Sequence, residues 1–120
     1  MKKIVNIDII KVNIFYYNGG IVMTIYEKYE ERGLTDYKLR TVDDVKALHG
    51  TDILAMKGLD ELSKEDKELV INLFIGYLNG WGCNNRNEVP AKVEKLRDDK
   101  FKVIFKDGEY SYLYRDGTVG

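Results

Sequence analysis

One cysteine, one histidine and one proline in 120 residues remove several kinds of protein at the outset. Cys83 has no intrachain partner for a disulfide. With His49 as the only imidazole, zinc sites of the usual cysteine and histidine type are excluded. Carboxylates remain as ligands for a harder ion. Charge of one sign is also lacking. Nineteen basic against twenty acidic side chains leave a formal charge of −1, which exerts no long-range pull on nucleic acid or an anionic membrane. The most apolar stretch, MKKIVNIDIIKVNIFYY, is interrupted by Asn6, Asp8, Lys11 and Asn13, so it reads neither as a secretory signal nor as a membrane span. Repeats, low-complexity tracts and linkers are missing. The expected setting is cytoplasmic, with no cofactor and no membrane partner.

What is present suits one α+β domain over 23–120. A length of 120 residues, 44% hydrophobic and 32% charged, can bury a modest core. Thr24 and Glu27 have the spacing of a capping box, opening a short helix that stops at Gly33. Thr41 precedes a second, VDDVKALH, which ends at Gly50; Asp43 and Asp44 favour its positive N-terminal end. Residues 51–58 read as a third short helix or a turn-rich connector. Ser63 opens the clearest helix, in which Leu69, Val70, Leu73, Phe74, Tyr77 and Leu78 recur at spacings of three and four. The expected architecture is short N-terminal helices and this longer amphipathic helix packed on a C-terminal antiparallel β-meander.

The meander is read from FKVIFKDGEYSYLYRDGTVG. A two-residue Asp107-Gly108 turn would set Phe105 opposite Tyr110, Val103 opposite Tyr112 and Phe101 opposite Tyr114. All six would then share one face, with the amphipathic helix as its cover. Residues 89–97, VPAKVEKLR, fit a helix face through Val89, Val93 and Leu96, or a strand face through Val89, Ala91 and Val93; a three-stranded meander is the preferred reading.

Residues 1–22 admit two readings. Fourteen of the first eighteen residues are Lys, Asn, Ile, Phe or Tyr, all of which A and T alone can encode. Gly19-Gly20 can be written with a ribosome-binding core just ahead of Met23, so one reading of the segment is a translated leader. The other reading is an N-terminal β-hairpin turning at Asn18-Gly19-Gly20.

Catalysis has no visible apparatus. Cys83 would need a base to raise its thiolate fraction, and His49 is remote in sequence. The acidic pairs Glu30-Glu31, Asp43-Asp44, Asp60-Glu61, Glu65-Asp66 and Asp98-Asp99 fall where helix starts and turns already favour acid. No phosphate-cradling glycine loop and no metal-ligand spacing occurs. The chain is expected not to be an enzyme.

Binding features are more distinctive. The loop GWGCNNRN joins Trp81 and Arg86, residue types enriched at binding hot spots, with Asn84 and Asn85 on a flexible backbone. Trp81 can equally fold back to plug the core. Residues 23–70 carry eight basic and twelve acidic side chains, a net of −4, whereas residues 86–120 carry a net of +1. The acidic half suits a basic partner surface, with Asp43, Asp44, Asp60, Glu61 and Glu65 as contacts.

The segment Phe74-Ile75-Gly76-Tyr77-Leu78-Asn79-Gly80-Trp81 resembles one in a small phage-encoded inhibitor of type II CRISPR nucleases, where a Phe-Ile pair on a late helix also leads into Asn-Gly-Trp. Members of that family are small acidic α/β proteins that occupy the DNA-binding surface of a nuclease. The resemblance covers eight residues, and this chain is less acidic, with its sheet after the long helix. It implies a phage or mobile-element inhibitor. The expected function is therefore a small non-catalytic binding protein that occludes a partner protein's surface. The alternative is a nucleic-acid-binding or regulatory domain using the Tyr110, Tyr112 and Tyr114 face with Arg97, Lys100, Lys102 and Lys106.

Overall fold

The computed structural model describes residues 3–7, 12–17, 21–81 and 88–120, with side chains from Thr24 onward. Strands β1 (Lys3–Ile7), β2 (Val12–Tyr17) and β3 (Ile21–Thr24) form an antiparallel meander. Val5 pairs with Ile14 across it, and Phe15 with Met23. β3 runs straight into helix α1 (Ile25–Glu31), so the boundary at Met23 falls inside a strand. The turn expected at 18–20 lies outside the described residues.

The predicted capping box forms, and a second one that was not predicted forms with it. The Thr24 hydroxyl accepts from the Glu27 backbone N–H, and the Glu27 carboxylate accepts from the Thr24 N–H. Thr41 and Asp44 do the same for α2 (Val42–His49), which ends at Gly50 in the left-handed conformation. The connector becomes two 3-10 turns, Ile53–Ala55 and Leu59–Glu61. Helix α3 (Lys64–Asn79) starts on the Ser63 cap and buries Val70, Phe74, Ile75, Tyr77 and Leu78. At its far end Asn79 imitates a strand neighbour: its side-chain carbonyl accepts from the Leu39 N–H and its amide donates to the Leu39 carbonyl, at 2.8 and 2.9 Å. That clamps the segment between α1 and α2 onto α3.

The ambiguous segment is a strand. β4 (Pro90–Arg97), β5 (Lys100–Phe105) and β6 (Tyr110–Tyr114) make a second antiparallel meander, and the architecture is α+β as expected. Its inner face contributes Val93, Phe101, Val103, Phe105 and Leu113 to a core shared with all three helices. Phe74 and Tyr77 meet Phe105 across the interface, with ring centroids 6.3 and 6.0 Å away.

The hairpin register departs from expectation by one residue. Ile104 pairs with Tyr110, Lys102 with Tyr112 and Lys100 with Tyr114. The connection has three residues, not two. Gly108 donates to the Phe105 carbonyl, Phe105 donates to the Glu109 carbonyl, and Gly108 takes φ +92° between them. This is a turn closed by a left-handed glycine, the other hairpin that an Asp-Gly pair permits. Because side chains alternate, one residue of slip moves a whole set to the opposite face. Phe101, Val103, Phe105 and Leu113 are therefore inside, and the tyrosine row is outside.

Neither edge of this sheet is open along its length. Beside β4, Lys57 donates to the Ala91 carbonyl and accepts from the Val93 N–H, at 2.9 and 2.8 Å. Beside β6, the C-terminus folds back so that Thr118 and Gly120 bond Tyr114 and Tyr112.

Candidate functional surfaces

In the C-terminal sheet, strand addition is blocked where those bonds lie, and its faces and the corner it makes with α3 remain for recognition. Two of them stand out.

The first is the C-terminal corner of α3. Phe74, Tyr77 and Trp81 follow one another at helical spacing, and each continues the aromatic packing of the last. Phe74 and Tyr77 stack at 5.7 Å, and Trp81 meets the edge of Tyr77 at 6.2 Å. The column begins fully buried at Phe74 and ends with Trp81 50% exposed. Gly76, Tyr77, Gly80, Trp81 and Val119 line an open apolar groove of about 300 Å³ there. Two glycines on one wall leave room beside the indole. Tyr77 is anchored by donating its hydroxyl to Glu88; burial first, and then that carboxylate, push its pKa above the ordinary tyrosine value. Trp81 thus stands on a fixed base. Asn84, Asn85 and Arg86, expected to act with it, lie outside the described residues, as does Cys83.

The second is the outer face of β4, β5 and β6. Tyr110 is 52% exposed, with Tyr112 and Tyr114 half-buried beside it. The Lys100 ammonium lies 4.1 Å from the Tyr112 ring centre, and that of Lys102 lies 4.4 Å from Tyr110. Arg97, by contrast, is tied to Asp99 at 2.7 Å. Lys106 is exposed in the hairpin loop.

The acidic residues divide by role. Asp43, Asp60, Glu61 and Glu65 are exposed, on α2, on the second 3-10 turn and in the first turn of α3. Asp60 pairs with Lys67. Asp44 is buried and serves the fold: burial pushes its carboxyl up, but the Arg32 guanidinium, the Arg40 and Thr41 N–H groups and the Thr41 hydroxyl outweigh this and hold it below the usual carboxylate range. Asp66 is likewise occupied. It accepts from Lys95 at 2.7 Å and Arg115 at 3.1 Å, tying the start of α3 to the sheet, and those two bonds depress its pKa.

Among the described residues no group of three or more His, Cys, Asp or Glu side chains is placed to hold a metal ion, and no helix is long and apolar enough to cross a membrane. Sequence reasoning missed Val119 and the groove it shares with Trp81; the available signal was Asp116-Gly117, a second Asp-Gly turn with Gly117 at φ +95°, which folds Thr118 to Gly120 back along β6. Compared with known proteins, the chain matches no family model, no curated protein and no solved structure.

Proposed function

We propose that this chain is a small non-catalytic binding protein of the cytoplasm that acts by covering the surface of a partner protein, with Trp81 as the anchor. The observation that carries this is the half-exposed indole, held by a buried aromatic column beside an apolar groove. A large aromatic on a preorganised base gains contact area on binding and loses little side-chain freedom. The narrowest form of the reading is a phage or mobile-element inhibitor of a CRISPR nuclease. Within the segment that resembles such inhibitors, Phe74, Ile75, Tyr77 and Leu78 are buried, so Trp81 is its large side chain left for contact. A DNA-mimicking version would draw on Asp43, Asp60, Glu61 and Glu65, while Asp44 stays inside.

The test is capture from bacterial lysate by the tagged full-length chain, wild type against Trp81→Ala. Hot-spot truncation costs about 2 kcal/mol or more, roughly a 30-fold loss of affinity. A stoichiometric protein retained by wild type and lost by the variant supports the reading; equal retention by both refutes the assignment of Trp81. Charge reversal at Asp43, Asp60, Glu61 and Glu65 that leaves capture intact refutes the DNA-mimic version alone.

A further inference from the structure

We propose that the outer face of the C-terminal sheet is a binding site for single-stranded nucleic acid, with Tyr110 and Tyr112 stacking on bases and Lys100 and Lys102 meeting phosphates. This surface is separate from the Trp81 groove, and the inference does not rest on that reading.

The one-residue shift in register places three tyrosines in a column on β6, directly across from Lys100, Lys102 and Ile104 on β5. A three-stranded sheet face with rings in a column, Tyr110 exposed and Tyr112 half-buried edge-on beside it at 5.4 Å, offers π-surfaces to successive groups of an extended chain. The cations are interleaved with the rings, not segregated from them. Neither Lys100 nor Lys102 has a carboxylate within ion-pair distance among the described residues, unlike Arg97 with Asp99 or Lys95 with Asp66. Each ammonium rests instead over a tyrosine face. Such a contact on an exposed sheet is weak, so the lysines can swing to a phosphate and uncover the rings for stacking.

Charge complementarity selects the occupant. Lys100 and Lys102, free of ion pairs among the described residues and set among aromatic faces, fit an alternation of phosphate and base, while Glu94, across from Lys102, is paired with Lys92 at 3.7 Å. Duplex DNA keeps its base faces buried in its own stack, so a ring column has nothing to stack on. A single strand offers both parts at once. The near-neutral total charge means that binding is weak, local and sensitive to salt.

The test uses the full-length chain and a fluorescently labelled oligothymidine, with binding read by anisotropy at low and rising salt. Wild type is expected to bind at low salt and to lose affinity with a log–log slope of about −0.7 per phosphate contact, so roughly −1.4 for two lysines. The double variant Lys100→Gln/Lys102→Gln should flatten that slope. Tyr110→Ala or Tyr112→Ala should weaken binding roughly 5- to 100-fold while the melting temperature holds. The matching duplex should bind more weakly than the single strand. No anisotropy change at low salt overturns the proposal. So does equal binding by a Tyr110→Ala/Tyr112→Ala variant, or a protein partner lost from capture by that variant when no oligonucleotide binds.

Discussion

Replacing Gly58 by alanine should unfold the seam between the connector and the sheet. Gly58 has φ +86°, and a Cβ there would drive into the Val93 carbonyl oxygen well inside van der Waals contact. Two costs combine. A left-handed residue with a side chain costs about 1–2 kcal/mol. Relieving the clash pushes β4 from Lys57, which loses the Lys57-to-Ala91 and Val93-to-Lys57 backbone bonds at 2.9 and 2.8 Å, each worth about 1 kcal/mol. The expected total is roughly 3–4 kcal/mol. At about 2.1 cal/mol/K of unfolding entropy per residue, each kcal/mol lowers Tm by roughly 4 °C, giving a fall of about 12–16 °C. Gly33→Ala is the matched control. Its φ is +80°, but nothing lies within 4 Å of the added Cβ, so only the conformational cost applies and Tm should fall by about 4–8 °C. Thermal melts by circular dichroism decide the matter. Equal shifts for the two variants would refute the claim that the connector is locked to β4.

Phe74→Ala should cost about 3–5 kcal/mol, since the ring is fully buried between Tyr77 and Phe105; a chemical denaturation midpoint that barely moves would contradict its place in the core. Acid should destabilise the protein through four aspartates with lowered pKa: Asp44, Asp66, Asp99 and Asp116, the last two held down by Arg97 and by Thr118. Carboxylates depressed in the folded state contribute fully above their unfolded value of about 4, and that contribution is lost as pH falls through the lower folded values. Stability should therefore be flat from neutral to about pH 4 on their account and drop below it, with a shallower drop in Asp66→Asn.

Much of the fold was legible because its signals are local. A Thr with an acid three residues on, a Gly after the last apolar turn and a stripe at helical spacing each depend on neighbours in sequence, and α1, α2 and α3 follow from them. The hairpin tip was legible but its register was not. Asp107-Gly108 suits both a two-residue and a three-residue loop, and tyrosine, apolar in its ring and polar at its tip, suits either face of a sheet. Leu113 held the deciding signal. It alternates out of phase with the tyrosines, and pairing it with Phe101 in the core fixes the observed register. The acidic candidates failed to sort for a similar reason: Asp43 and Asp44 are neighbours in one helix start, yet one points to solvent and the other into the Arg32 contact, a difference set by α1. The Lys57 bridge to β4 and the meeting of Val119 with Trp81 join residues far apart in sequence, which no local pattern records.

The fluorescence of the single tryptophan tests the central claim most directly, because the proposed function depends on Trp81 standing at the surface. An indole 50% exposed should emit to the red of a buried one, and acrylamide should quench it at a substantial fraction of the rate found in the unfolded chain. Blue-shifted emission that acrylamide scarcely quenches would put Trp81 in the core and remove the anchor.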